Sequence, residues 1–459
     1  MTGQDARSRD GDPLIEVRGL RVDYGLGPDA VHAVIDADLA LVSGTVLGLA
    51  GESGSGKSTL AYAMTRLLRA PGIITGGQVL LHGGAGPTHG SAPEAATIDL
   101  LAADERQLRG LRWSRVAVVM QSAMHALNPV VMIGAQLTDV LQAHRLKMDR
   151  TDRRQRAAFL LEMVGISADN LRRYPHQLSG GMRQRVMIAM ALALDPAIVI
   201  MDEPTTALDV VTQREILTEL ADLQRELSFA VLFITHDLSL LVELADSIAV
   251  MYAGRLLEQA AASDLYRAPR HPYTLGLLRS FPPLHGARKP LAGIPGSPPD
   301  LRIPPPGCPF HPRCGFVMDI CRTEMPAAIQ VGAGRGRSAA CWLHDGSHEV
   351  PAELALPEPG VASPPGTARG HAGIPEPGTH SPAAGTETGA KVETGDGTRT
   401  GAGAETGDGT RTGAGAETGN GTETGARTEG GTQPAAARLT AAMPPGTTTA
   451  APDTTGTLR

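Results

Sequence analysis

Val46 to Ala50 (VLGLA) is an apolar run of strand length that closes on Gly51, and Ser58 to Leu68 (STLAYAMTRLL) follows at helical spacing. Between them Gly51-Glu52-Ser53-Gly54-Ser55-Gly56-Lys57-Ser58 fits GxxxxGK[ST], so the order is strand, glycine-rich turn, helix. That order makes a phosphate cradle. Glycines let successive backbone N–H groups turn inward, the helix N-terminus adds partial positive charge, Lys57 meets the β and γ oxygens, and the Ser58 hydroxyl ligates Mg²⁺. The cradle demands an α/β fold, and the chain from Leu14 to about Tyr266 does alternate strand and helix patterns as a mainly parallel sheet requires. Val116 to Met120, Ala197 to Met201 and Val231 to Ile234 read as further buried strands, each closing on a polar residue. Four strand ends thus carry polar groups to one edge, where open α/β sheets bind ligands.

Other stretches depart from this alternation. Met124 to Pro175 turns to helical patterns rich in Arg, Leu and Asp, which reads as a helical insertion of about 122–180. Residues 267–348 are proline-rich, carry all four cysteines and read as a small irregular appendix. With 55 glycines, 35 prolines and only 3% aromatics some long stretch is unable to pack, and beyond Glu349 the sequence is almost entirely Gly, Thr, Ala, Pro and Glu, the unit TRTGAGAETGDG beginning at Thr398 recurring at Thr410 with Asn420 in place of Asp408. Residues 349–459 therefore read as a disordered low-complexity tail, and 1–13 as a disordered N-terminus. The net charge of -7 gives no basic footprint for nucleic acid, no apolar run is long enough to cross a bilayer, and the N-terminus, MTGQDARSRDGDP, lacks the apolar core of a signal peptide.

Asp202-Glu203, at the end of the Ala197 to Met201 strand, supplies two adjacent acids. Asp202 is assigned to the Mg²⁺ shell and Glu203 to general-base work on an attacking water. Leu178-Ser179-Gly180-Gly181-Met182 opens an apolar helix running to Leu194, with Ser179 as its cap and both glycines exposing backbone N–H groups to an anion.

Together, GESGSGKST (Gly51 to Thr59), Gln121, LSGGMRQR, IVIMDEP, Ala207-Leu208-Asp209 and Thr235-His236-Asp237, in this order and spacing, resemble the ATP-binding subunit of ABC transporters over residues 14–266. The resemblance implies a P-loop NTPase fold with a small antiparallel β subdomain. It also implies ATP and Mg²⁺ as cofactors, and a head-to-tail dimer with a second, identical or paralogous ATPase subunit. Ser179, Gly180 and Gly181 of one subunit then close on the nucleotide held by the other, while Asp209 crosses the interface. On the same grounds Gln121 contacts Mg²⁺ and senses the γ-phosphate, His236 contacts the γ-phosphate, and Tyr24 stacks on adenine.

Leu127-Asn128-Pro129, Tyr174-Pro175-His176-Gln177, His271-Pro272-Tyr273-Thr274, Ile294-Pro295-Gly296 and Gly307-Cys308-Pro309-Phe310-His311-Pro312-Arg313-Cys314 resemble the oligopeptide/dipeptide importer branch, which also includes nickel importers. Ser122-Ala123-Met124-His125 departs from it, since many members carry an acidic residue and proline after the glutamine. This branch implies two separate permease subunits, an extracytoplasmic solute-binding protein and a place at the cytoplasmic face of the membrane. Cys308, Cys314, Cys321 and Cys341 are spaced too widely for common zinc knuckles and suit a [4Fe–4S] cluster, as in related subunits; zinc or no metal are the alternatives. A soluble ABC ATPase of DNA repair or translation is the competing class. It calls for a long coiled-coil insertion or a second cassette, and the chain has neither.

Overall fold

The computed structural model describes residues 13–83, 97–121, 126–144, 147–206, 208–280, 293–331 and 336–355. The expected N-terminal segment up to residue 12, most of the tail with its repeat, Ser122 to His125 and Ala207 lie outside these. Strand β1 (Pro13–Tyr24) pairs antiparallel with β2 (Val31–Val42). The central strand β3 (Val46–Ala50) leads through the glycine loop into helix α1 (Lys57–Met64). Strands β4 (Gly72–Leu81) and β5 (Ile98–Asp99) then complete a four-stranded antiparallel sheet in the order β2-β1-β4-β5.

Helix α1 stops four residues short of the apolar pattern that runs to Leu68. Arg66 takes the left-handed conformation (φ 52), its N–H donates to Ala63 O, and the Leu67 N–H reaches back to Tyr62 O at 2.8 Å. This pair of bonds satisfies the last carbonyls and turns the chain out of the helix, so Leu67 and Leu68 pack from a loop.

The chain continues through α2 (Glu105–Leu111), β6 (Val116–Val119), α3 (Ile133–His144), α4 (Arg150–Met163) and α5 (Gly180–Ala191). Then come β7 (Ile198–Asp202), α6 (Val210–Leu227), β8 (Ala230–Ile234), α7 (Leu238–Leu244) and β9 (Ser247–Tyr252). Strand β3 lies between β8 and β9, and β6, β7, β8, β3 and β9 all run parallel. Alternate residues of these strands enter two cores: Ile198, Ile200, Leu232 and Met251 face the antiparallel sheet and α1, whereas Val199, Met201, Phe233 and Tyr252 face the helices. Burial on both faces is why the strands read as unbroken apolar runs. Between β6 and β7, α3 and α4 pack against each other, with Leu137, Leu141, Leu160 and Leu161 buried in the helical-side core.

The cysteine segment is less separate than expected. Strand β10 (Arg255–Ala261) adds antiparallel to β9, α8 (Ala262–Arg267) and α9 (Pro272–Ser280) follow, and after α10 (Ile320–Thr323) the short strands β11 (Ile329–Gln330) and β12 (Ser338–Ala339) extend the sheet beyond β10. Cys308, Phe310, Cys321 and Ala340 share the helical-side core of the parallel sheet. The ordered chain also continues past Glu349. Leu354 is fully buried against Cys341 and Leu343, because Val350 and Leu354 are the apolar exceptions at the start of a polar tail.

Glu258 on β10 ties these parts together. It is 2% exposed, its two carboxylate oxygens accept the backbone N–H groups of Arg270 and His271 at 2.8 Å each, and burial pushes its carboxyl above the ordinary range. A glutamine there offers one acceptor where two are used. Glu258→Gln is expected to lower the stability of the full-length chain by about 1–3 kcal/mol, read as a lower urea midpoint with an unchanged slope.

Candidate functional site

The glycine loop presents its open face where Ser53 and Gly54 are exposed and closes around Lys57, which is buried. The Lys57 ammonium donates to Gly51 O at 2.8 Å, Glu52 O at 2.9 Å and Ser55 Oγ at 3.4 Å, so all its hydrogens are used within the loop. Burial lowers its pKa, and Glu203, Asp202 and Glu52 oppose that shift. Two glycines are required by contact as well as by conformation. A Cβ on Gly51 would stand 2.1 Å from Met251 O, and one on Gly56 (φ 104) would stand 2.2 Å from Ala33 O.

The first turn of α1 meets the end of β7. Ser58 Oγ donates to Asp202 Oδ1 at 2.9 Å and the Tyr62 hydroxyl donates to Asp202 Oδ2 at 2.8 Å. Asp202 is fully buried, and burial pushes its carboxyl up while the Tyr62 and Ser58 donors pull it back. A hydroxyl and a carboxylate in contact beside a phosphate cradle are hard oxygen donors of the kind Mg²⁺ takes, so the residues fit that ion.

Glu203 gathers the other expected polar groups. Gln121 Nε2, beyond the end of β6, donates to its Oε2 at 3.0 Å, Thr206 Oγ1 donates to the same oxygen at 3.0 Å, and His236 Nδ1, beyond β8, lies 3.2 Å from Oε1. Glu203 itself has φ 45, a left-handed conformation costly for a residue with a side chain, while its N–H still donates to Ile234 O at 2.9 Å. Ser58, Lys57 and Asp202 thus form one group, and Gln121, Glu203 and His236 a second beside it.

The remaining residues stand elsewhere. Tyr24 ends β1, half-buried, with its hydroxyl 3.3 Å from Thr59 Oγ1. Ser179 is exposed and caps α5 by accepting the Met182 N–H, and Asp209, also exposed, caps α6 by accepting the Thr212 N–H. These helix starts are neighbours, since a Cβ on Gly181 would meet Thr212 Cγ2 at 2.6 Å. Tyr62 and Thr206 were absent from the expectations, yet each had a signal: Tyr62 follows Ser58 by one helical turn, and Thr206 lies three residues past Glu203. Tyr273 and Arg313, which hold Glu52 from 221 and 261 residues away, had none.

Cys308, Cys314, Cys321 and Cys341 line a single cavity with His271, His311 and Trp342. All four are free. Burial pushes the Cys308 and Cys314 thiols up to about 11 and that of Cys341 up to about 12. Among the described residues no group of three or more His, Cys, Asp or Glu side chains is placed to hold a metal ion. The expected cluster ligands share a cavity, therefore, without a coordinating geometry.

The glycine contacts make a discriminating prediction. Gly56→Ala drives a Cβ into the Ala33 carbonyl and is expected to weaken nucleotide binding at least about tenfold, or about 1.4 kcal/mol. Gly54 (φ 79) faces open space, so Gly54→Ala costs only about 1–3 kcal/mol of backbone strain and binds more tightly than Gly56→Ala. Titration of both variants with a fluorescent ATP analogue checks the order.

Residues 34–206 match the ABC transporter family, and residues 257–321 match the oligopeptide/dipeptide transporter C-terminal region. The chain is 38% identical over 333 residues to the dipeptide transport ATP-binding protein DppD of Caldanaerobacter subterraneus, covering 72% of this chain and 97% of that one. It is 40% identical over 331 residues to the oligopeptide transport ATP-binding protein OppD of Salmonella typhimurium (72% and 93% covered) and 41% identical over 317 residues to OppD of Escherichia coli (69% and 89%). With a phosphate loop, paired acids and C-terminal region all in one chain, this protein belongs to the ATP-binding subunits of ABC transporters, in the branch that carries the oligopeptide/dipeptide C-terminal region.

Proposed function

We propose that this subunit hydrolyses ATP to energise uptake of di- or oligopeptides through separate permease subunits. The catalytic part of the reading is carried by Glu203, which stands at the end of β7 beside Asp202 and within hydrogen-bond reach of groups beyond β6 and β8. The cargo is supported by the C-terminal region and by the relatives named for peptide transport.

Each residue has a role that its place supports. Lys57 and the loop N–H groups bind and orient the phosphates, with Tyr24 under the adenine. Mg²⁺, when bound, would supply positive charge to the phosphates. Ser58 and Asp202 would hold that ion, with Gln121 contacting it and sensing the γ-phosphate beside the helical insertion. Glu203 takes the proton of an attacking water on its carboxylate, and His236 orients the γ-phosphate. Ser179, Gly180, Gly181 and Asp209 act on a second copy or paralogue across a head-to-tail interface. The exposed Val210 (79%) and Val211 (69%) beside Asp209 are apolar surface such an interface would cover. No helix among the described residues is long and apolar enough to cross a membrane, and in this reading the permeases hold the chain at the cytoplasmic face, with a solute-binding protein on the far side.

The test is ATP hydrolysis by the chain reconstituted with its permeases, with binding protein added empty, peptide-loaded or nickel-loaded. Stimulation by the peptide-loaded form is expected; stimulation by nickel alone would replace the cargo, and turnover indifferent to every binding protein would favour a soluble ATPase. In the same assembly Glu203→Gln is expected to lower turnover by about 10²- to 10⁴-fold while ATP still binds.

The cysteines are proposed as ligands of a [4Fe–4S] cluster. What speaks for it is that the four thiols line one cavity. Anaerobically purified protein is expected to carry iron and sulfide that Cys314→Ser removes. Iron content unchanged by that substitution sinks the cluster, and zinc in its place would identify a structural site.

A further inference from the structure

Glu52, the second residue of the phosphate loop, is gripped at three points. Its carbonyl accepts from Lys57 Nζ, its N–H donates to the Tyr273 hydroxyl at 2.8 Å, and its carboxylate takes a two-pronged pair of bonds from Arg313, Nη1 to Oε2 at 2.7 Å and Nη2 to Oε1 at 3.0 Å. Only the first grip belongs to the loop. Tyr273 lies on α9, and Arg313 lies between Cys308 and Cys314.

The Arg313 side chain is 5% exposed and its position is over-determined. Its Nε donates to Pro295 O at 2.8 Å, Nη1 also reaches the Tyr252 hydroxyl at 3.3 Å, and the guanidinium lies over the Tyr252 and Phe310 rings at 5.7 and 6.0 Å. Its own N–H bonds to Phe310 O within the turn that begins at Cys308. A planar fork held by two hydrogen bonds and two rings dictates where the carboxylate it binds must sit. The peptide groups flanking Glu52 carry both carbonyls that hold Lys57 and the N–H that Tyr273 accepts, so they are tied to the residue that carboxylate belongs to.

We propose that Arg313 is a positioning residue for ATP binding: through Glu52 it sets the shape of the phosphate loop, so the cysteine segment is part of the nucleotide site. This rests on the reading of the loop as an ATP site. A misplaced loop binds all states of the nucleotide less well, so the effect falls on KM more than on kcat. A residue that merely stabilised its own segment would change the folded fraction and leave KM alone.

The experiment compares wild type, Arg313→Ala, Arg313→Lys, Glu52→Gln and the double variant Arg313→Ala/Glu52→Gln as full-length chains. Equilibrium ATP binding and thermal unfolding are measured on each, and KM and kcat in the reconstituted transporter. Arg313→Ala and Glu52→Gln are each expected to weaken ATP binding about tenfold, with the double variant no weaker than the worse single one, because both remove the same contact. Arg313→Lys keeps the charge without the fork and should fall between. A folded Arg313→Ala with wild-type affinity overturns the proposal, as do losses that multiply in the double variant. Should Arg313→Ala not fold, wild-type affinity in both Glu52→Gln and Arg313→Lys does the same. If wild type itself fails to bind ATP, the ATP-site reading falls; if wild type binds and the variants match it, only the role of Arg313 falls.

Discussion

A phosphate loop binds through the shape of its backbone, so that shape has to be held from behind. Part of that hold is covalent geometry, since the loop leaves the end of β3 and enters α1 with glycines at the close approaches to Met251 and Ala33. Part is the sheet: β3 is central, in parallel register with β8 and β9, and cannot shift without disrupting both ladders. The rest comes from single bonds that cross into other elements, Gly254 N–H to Ser55 O at 3.0 Å and Glu52 N–H to the Tyr273 hydroxyl. The Lys57 ammonium fastens the inner side, bonded to the two carbonyls that open the loop.

The acids depend on the same sheet. Because β6, β7 and β8 are adjacent and parallel, their C-terminal ends deliver Gln121, Asp202-Glu203 and His236 to one edge in that spatial order. Asp202 is the last residue of β7 and faces α1. Glu203 follows it but is turned by its left-handed φ, so two neighbours in sequence serve two different sets of partners. That strain is of the order of 1–2 kcal/mol, and the bond from Glu203 N–H to Ile234 O holds it in place.

How far the sequence reveals all this depends on range. Strand β3 with its loop, the ends of β6, β7 and β8, and the Ser179 cap follow from local pattern, because period, glycine placement and capping act within a few residues. The end of α1 was misjudged because a left-handed Arg66 leaves no compositional mark, unlike a glycine. The placement of the cysteine segment was illegible for another reason. Strands β11 and β12 are two residues each, too short to show alternation, and what fixes the segment is Arg313 and Tyr273 meeting a loop more than two hundred residues earlier. A lone arginine among prolines looks like a solvated charge until the fold buries it.

Burying that arginine is informative because an ion pair is a poor way to gain stability. Desolvating both charges cancels much of their attraction, and apolar side chains of similar volume would often hold the segment at least as well. What the pair supplies is direction, and here it also settles a charge. Lys57 already has Asp202, Glu203 and Glu52 acting on it, and a phosphate chain brings further negative charge to the same place. An unpaired Glu52 would compete with the phosphates for Lys57 and repel them. With Arg313 across its carboxylate, Glu52 can serve as a handle on the loop's backbone without opposing what the loop binds.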